Sequence, residues 1–256
     1  MMFAAIDAAL RRGAARRGLL GWVGMLVLAG LTASAGIARA ADTAPSVEVK
    51  GMKNPELRSY RSVSAGLDAF ERRHALAPGA AALRFRLLAA PRGAAPGPEP
   101  LALRIVGEGE AWPLAVDEEG LVTIPRNQQA YDDDAELVSN RKRGQLIGLP
   151  EVRSAGLPQH VRRLGDLRLE CEVLTAVLKV EMGFLARSAI SALLKTTVWC
   201  GKPDFKLKFH ALARLDAVSL VYQQRRVALE HGEWDYLLPI SDPSWPDDAL
   251  VELSFK

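Results

Sequence analysis

Short segments with alternating apolar and polar residues are the feature that most constrains the fold of this chain. Leu83, Phe85 and Leu87 alternate with arginines, which is typical of a strand with one buried face. Asp117 to Gly120 has the composition of a hairpin turn between two such segments. Further short strand candidates lie at 47–50, 101–106, 111–116, 121–125, 146–149, 205–209, 234–238 and 251–255. This pattern favours an antiparallel β-sandwich over a parallel α/β sheet.

Two stretches have helical rather than strand periodicity. Apolar residues recur every three to four positions over 62–77, and Pro78 follows directly. The stretch 172–195 is rich in strong helix formers, with Gly183 as an interruption, and the alternation at 167–173 predicts a strand before it. We therefore expect a mainly β, α+β fold with two or three helices, arranged as one domain or as two packed sub-domains.

The first 40 residues have the pattern of a secretory signal peptide. Four arginines precede an apolar run over 19–31, and the small-residue motif at 38–40 predicts cleavage between Ala40 and Ala41. Two alternatives stay open: cleavage after Ala35, or retention of 19–37 as a membrane anchor. The expected location is periplasmic or secreted. The predicted parts are the leader 1–40, an N-terminal part 41–150 with a helix and a β-sandwich, and a β-rich C-terminal part 151–256.

The basic character of the whole chain comes from this leader. The chain has 33 basic and 30 acidic residues, and residues 1–40 hold five of the basic ones and only one acid, Asp7. The remainder therefore carries 28 basic and 29 acidic side chains. Binding of nucleic acid needs a strong positive field, which a nearly neutral protein lacks, so we expect no nucleic-acid partner. No membrane span is predicted after the leader.

Cys171 and Cys200 are the only cysteines in the sequence. An oxidising compartment favours a disulfide between them, with two buried free thiols as the alternative. Neither cysteine has a pair of histidines at zinc-ligand spacing, and no C-x-x-C motif is present. The sequence accordingly predicts no metal and no cofactor.

Candidate binding residues cluster near the C-terminal end. Trp234 and Trp245, with His231 and Asp235 nearby, have the composition of a sugar-binding face. The alternative is that both tryptophans are core or turn residues. A hydrolase would need a base and a carboxylate, for which His210, His231 and Asp235 are the candidates.

Two segments resemble known families. Residues 49–78, followed by Leu83-Arg84-Phe85, resemble the opening of secreted proteobacterial proteins of unknown function. The stretch from Trp112 to Pro125 resembles one edge of transthyretin-like or carboxypeptidase-regulatory-like β-sandwiches. These resemblances imply a secreted β-sandwich used for binding or support, and neither segment carries a catalytic residue.

The expected function is therefore that of a non-enzymatic binding or structural module. Its partner would be a protein, a glycan or another component of the cell envelope. An envelope hydrolase with an unrecognised site is one alternative. A small-molecule carrier, with the predicted helix 172–195 lining an apolar cavity, is the other.

Overall fold

The computed structural model of the protein describes residues 55–256 with the exception of Pro96, Pro98 and Asp204. The predicted leader, the cleavage site at Ala40 and Ala41 and the strand candidate at 47–50 lie outside these residues. The strands of the described part are β1 Pro55–Ser59, β2 Ala80–Ala89, β3 Leu103–Val106, β4 Ala111–Leu114, β5 Leu121–Val122, β6 Glu136–Lys142, β7 Leu146–Ser154, β8 Val161–Arg163, β9 Lys208–His210, β10 Leu215–Tyr222, β11 Arg225–Ala228, β12 Asp235–Leu237 and β13 Leu250–Phe255. The helices there are α1 Tyr60–Arg73, α2 Gln128–Asp132, α3 Leu164–Glu181 and α4 Phe184–Leu194, with a 3-10 turn at His74–Leu76.

These strands pair only in antiparallel fashion within the described residues. Two four-stranded sheets have the orders β1-β6-β3-β4 and β11-β10-β13-β8, a three-stranded sheet has the order β5-β2-β7, and β9 pairs with β12. The mainly β, α+β class is confirmed, and the sandwich arrangement stays a prediction.

The helix predicted at 62–77 is confirmed as α1 followed by the 3-10 turn. Its first residue, Tyr60, is buried and bridges two backbone groups: its hydroxyl donates to the Pro125 carbonyl at 2.7 Å and accepts from the Asn127 N–H at 2.6 Å. Gly66 lets α1 approach α3 closely, because a Cβ there would lie 2.9 Å from Cγ2 of Val177. Ser62 and Val63 are buried on the same helix.

The strand predicted at 167–173 is wrong, because these residues belong to helix α3. The helix packs against α1, the 3-10 turn, β7 and β8. The Arg168 guanidinium also donates to the Ile240 carbonyl at 2.8 Å, which places the loop before β13 against a further face. A helix enclosed on several faces has no wet stripe, so Leu167, Leu169, Cys171 and Val173 are all fully buried and imitate a period of two.

The predicted helix 172–195 is divided in two. Met182 has an extended backbone, with φ of −77° and ψ of 131°, and it ends α3. Gly183 precedes the first residue of α4, Phe184. The interruption seen in the sequence at Gly183 is therefore a real boundary between two helices.

Side chains of helix α3 accept hydrogen bonds from the backbone N–H groups along the outer edge of strand β7. Glu170 Oε1 accepts the Val152 N–H at 2.8 Å, and Asp166 Oδ2 accepts the Ser154 N–H at 2.7 Å. The Asp166 Oδ1 atom accepts the Ser154 hydroxyl, also at 2.7 Å. Because β7 is the last strand of its sheet, these N–H groups have no strand partner, and the two carboxylates take that place.

The hydrophobic core joins residues on both sides of position 150. Ile105 and Leu137 from the sheet of β3 and β6 belong to the same cluster as Leu169 and Val173 from α3. The core therefore lies between helices α1 and α3 and the strands that follow α1. The division at 150 stays a prediction.

Candidate functional site

An apolar cavity of about 180 Å³ lies between α3 and the strands facing it. Its walls are Arg58, Val63, Phe85, Leu87, Leu103, Val122, Ile124, Leu137, Ser139, Leu146, Ile147, Gly148, Leu149, Leu174, Val177, Leu178 and Glu181. Most of this surface is aliphatic or aromatic. Few voids larger than a water molecule occur in ordinary protein cores, so the cavity is a distinctive feature of this fold.

The local sequence explains how each wall forms. Alternation in β2 directs Phe85 and Leu87 to the same side of their sheet. On the opposite wall, Leu174, Val177 and Leu178 follow the i, i+3, i+4 spacing of one helix stripe. The helix thus presents a continuous apolar stripe to the strands, and the space between them is not filled.

One end of the cavity is polar. The Arg58 guanidinium contacts Glu181 at 2.5 Å. The Arg58 side chain is 42 % exposed and that of Glu181 only 10 %, so the pair lies between the interior and solvent. The Ser62 hydroxyl donates to the Ser59 carbonyl at 2.7 Å, and its oxygen lies 3.2 Å from the Glu181 carboxylate. A ligand in the cavity would meet hydrogen-bonding groups only near this end and at Ser139.

A second cavity of about 60 Å³ adjoins the first. Leu149 and Leu174 contribute to the walls of both cavities and separate them. The second one is lined by buried charges, among them Arg86, Arg162 and Glu170. These side chains come from different elements, which the fold brings together.

The buried charges of the second cavity compensate one another. The Arg86 guanidinium donates to Glu151 through two nitrogens, one at 2.8 Å, and Arg162 contacts Glu170 at 2.5 Å. Burial raises the pKa of Glu151, but the hydrogen bonds and charge of Arg86 outweigh it and leave that pKa below its ordinary value. Burial raises the pKa of Glu170 to about 7, although Arg162 and the Val152 N–H act in the opposite direction. The two ion pairs account for Arg86 and Arg162, whereas the Nε atom of Arg162 is buried without a hydrogen-bond partner among the described residues.

The predicted sugar-binding residues occupy different environments. Trp234 is half-buried between the guanidinium groups of Arg92, at 4.8 Å from its ring centre, and Arg214, at 5.8 Å. Trp245 is only 3 % exposed, with the Arg225 guanidinium 3.7 Å from its ring centre. Of the two rings, only that of Trp234 keeps appreciable open surface. Their role in binding stays a prediction.

The residues of the hydrolase alternative are not linked to one another. His210 lies opposite Asp235 in the β9–β12 pairing, yet no hydrogen bond joins the two side chains among the described residues. Asp235 instead accepts from the Lys208 ammonium at 3.0 Å. His231 is exposed, and its Nδ1 atom lies 2.9 Å from the Gly232 carbonyl oxygen. Burial lowers the pKa of His210, with the nearby carboxylate acting against it.

The predicted disulfide is confirmed. Cys171, in α3, is bonded to Cys200, which lies beyond the end of α4, with the two Cα atoms 6.1 Å apart. Within the described residues, no cluster of three or more His, Cys, Asp or Glu side chains is suited to a metal ion. None of the helices in the same part of the chain has the length and apolar character needed to cross a membrane.

Comparisons with protein-family models, curated proteins and solved structures found no match to this chain. The sequence predicted the helix that lines the apolar cavity, but it assigned none of the strand residues opposite it to a cavity. The apolar stripe of α3 was the signal for the helical wall. The strand residues come from two different sheets, so their shared cavity is visible only in the folded structure.

Proposed function

We propose that this protein is an exported, non-enzymatic binding protein that holds a small, mainly apolar molecule in the cavity beside α3. The export part of the proposal is supported by the leader-like pattern of residues 1–40 and by the disulfide, which suits an oxidising compartment. The binding part rests on the cavity itself.

The size of the apolar cavity is the observation that carries the proposal. An empty cavity costs about 24 cal/mol per Å³. An enclosed void of about 180 Å³ would cost about 4 kcal/mol, and because this cavity opens toward solvent at its Arg58 end, that figure is an upper limit. A ligand that restores the missing contacts would offset this cost.

The walls define the chemistry of the ligand. A dry cavity of about 150 Å³ lined by Leu, Ile and Phe binds benzene, so this one suits a ring or short hydrocarbon chain of similar size. A polar group on the ligand would lie near Arg58 or Ser139, where hydrogen-bonding partners exist. Elsewhere the walls would leave such a group without a partner, which is costly.

The carrier function has more structural support than the hydrolase alternative. A hydrolase needs a base that is hydrogen-bonded to an orienting group. The described structure does not link His210, His231 and Asp235 in this way. The cavity, by contrast, has walls supplied by α1, α3 and six strands, and the stripe on α3 is continuous.

Benzene is a suitable first probe, with thermal unfolding as the measurement. At ten times its Kd, benzene should stabilise the protein by about 1.4 kcal/mol and raise Tm by about 4 °C. Leu178→Trp, which places an indole ring in the cavity, should abolish this rise. Leu193→Trp is the matched control, because Leu193 is 67 % exposed on α4 and the rise should persist there.

A second variant keeps the test valid in case Leu178→Trp fails to fold. Leu178→Ala enlarges the cavity, so the Tm rise should persist with benzene and extend to n-butylbenzene. The absence of any rise in the wild-type protein, or an equal rise in Leu178→Trp, would refute the proposal. If benzene binds as expected, native mass spectrometry of the exported protein would identify the natural ligand as an adduct that Leu178→Trp lacks.

A further inference from the structure

The exposed apolar side chains of this protein are concentrated in one segment. Of the eight large apolar side chains exposed in the described residues, five lie between positions 180 and 198. These five, which we name the α4 surface, are Val180, Phe184, Leu185, Leu193 and Val198. Phe184 is 70 % exposed and Leu185 81 %, whereas scattered single residues are the usual pattern on a protein surface.

The exposed charges around the α4 surface are mainly positive. Between positions 179 and 203 the cations are Lys179, Arg187, Lys195 and Lys202, and the one acid, Glu181, is only 10 % exposed and is paired with Arg58. The Arg187 guanidinium lies 5.7 Å from the centre of the Phe184 ring, so cation and apolar group are adjacent. An apolar face with a basic rim is complementary to a lipid layer, which has an apolar interior beneath negatively charged headgroups.

Helix α4 also has an exposed apolar side with a cation beside it, as interfacial helices do. Its 11 residues span about 16 Å. Helices with an apolar face and Lys or Arg at the rim lie in the plane of the membrane interface, with the apolar side chains below the headgroups. Lysine and arginine reach the headgroups while their aliphatic parts stay in contact with apolar surface.

Helix α4 is attached to the rest of the protein near its C-terminal end, where Leu194 is buried. The Cys171–Cys200 disulfide connects the segment beyond α4 to the buried part of α3. Trp199 is buried, and its indole N–H donates to the Ser191 hydroxyl at 3.2 Å. Because these contacts hold the C-terminal end of α4, its exposed side chains are presented without any need for the core to open.

We infer that the α4 surface docks the protein onto an anionic lipid surface. The basic rim would bind the phosphate groups of the lipids, and Phe184, Leu185 and Leu193 would enter the layer beneath them. This surface is distinct from the apolar cavity, because none of its five side chains lines the cavity.

Co-sedimentation with lipid vesicles tests the inference. Vesicles of equal parts phosphatidylglycerol and phosphatidylcholine should bind the full protein, and vesicles of phosphatidylcholine alone should bind it at least tenfold more weakly. Replacing both Phe184→Gln and Leu185→Gln should weaken binding to the anionic vesicles by at least tenfold, because two large side chains no longer leave water. Leu212→Gln is the matched control: Leu212 is 43 % exposed elsewhere in the chain, and its replacement should leave binding unchanged.

The charged rim is tested separately by Arg187→Gln combined with Lys195→Gln. This variant should lose the preference for anionic vesicles. Failure of the wild-type protein to bind anionic vesicles would overturn the inference, as would unchanged binding by the Phe184→Gln, Leu185→Gln variant. Analytical ultracentrifugation provides the other decisive result: a dimer that the same variant abolishes would assign the α4 surface to a second copy of the chain.

Discussion

Removing the disulfide should cost this protein a large and calculable part of its stability. Cys171 and Cys200 are 29 positions apart, and both are buried. Closing a loop of that length in the unfolded chain corresponds to about 3.6 kcal/mol at 25 °C in the chain-entropy treatment. The variant Cys171→Ala, Cys200→Ala should therefore unfold with a free energy lower by about 3 to 4 kcal/mol.

Equilibrium unfolding in guanidinium chloride, followed by circular dichroism, measures this loss. Tryptophan fluorescence, to which the buried Trp199 beside Cys200 contributes, gives a second signal for the same transition. For a chain of this size the predicted loss corresponds to a fall in Tm of about 10 °C. Both signals should give the same midpoint, since α4 and α3 share the bond.

The wild-type protein, fully reduced and kept in reductant, is the matched control. It releases the same loop without changing any other atom of the two side chains. A loss below about 1 kcal/mol in both proteins would refute the reasoning, because the unfolded chain would then have gained little freedom. Unequal losses in the two would show that packing around the sulfur atoms, rather than the loop, sets the effect.

Two further predictions concern α3. A Cβ at Gly165 would overlap the Leu76 carbonyl oxygen, so Gly165→Ala should lower the free energy of unfolding by about 3 kcal/mol. The space around a Cβ at Gly183 is open, so the control Gly183→Ala should cost under about 1 kcal/mol. Equal losses of the two variants in guanidinium unfolding would contradict this prediction. Burial raises the pKa of Glu170 from its ordinary value of 4.5 to about 7. Between these two values the folded protein holds a proton on Glu170 that the unfolded chain releases. The stability that this proton contributes is therefore lost as pH rises from about 4.5 to 7. The free energy of unfolding of the wild type relative to Glu170→Gln should fall by about 3 kcal/mol over that range, and a rise would show that the Arg162 contact keeps Glu170 ionised in the fold.

Local sequence patterns predicted the elements that have one buried and one wet face. Strand β2 and helix α1 were found this way, because each has the period of its own geometry. Asp117 to Gly120 also forms the expected turn, with the Asp117 carboxylate accepting from two backbone N–H groups and Gly120 at a φ of +76°. Such features depend on neighbours in sequence and are accessible without a structure.

The predictions that were wrong or missing concern elements whose structure is determined by tertiary contacts. Helix α3 is enclosed on several faces, so its first half imitates a strand in the sequence. Strand β6 lies between β1 and β3, yet it was not predicted, because only Leu137 and Ser139 of its seven residues are buried. The apolar cavity was anticipated only from its helical wall, since its opposite wall is assembled from strands far apart in sequence.

The two carboxylates at the edge of β7 fix how the helix is set against the sheet. Asp166 and Glu170 are four residues apart on a helix, a rise of about 6 Å, and the N–H groups of Val152 and Ser154 are two residues apart on a strand, about 6.6 Å. The two repeats match closely enough for both acids to bind at once, and a shift of α3 by one residue would break both contacts. The acids also occupy the donors through which an edge strand recruits another chain, so the side chains that set the register of α3 also protect the sheet from growing into an aggregate.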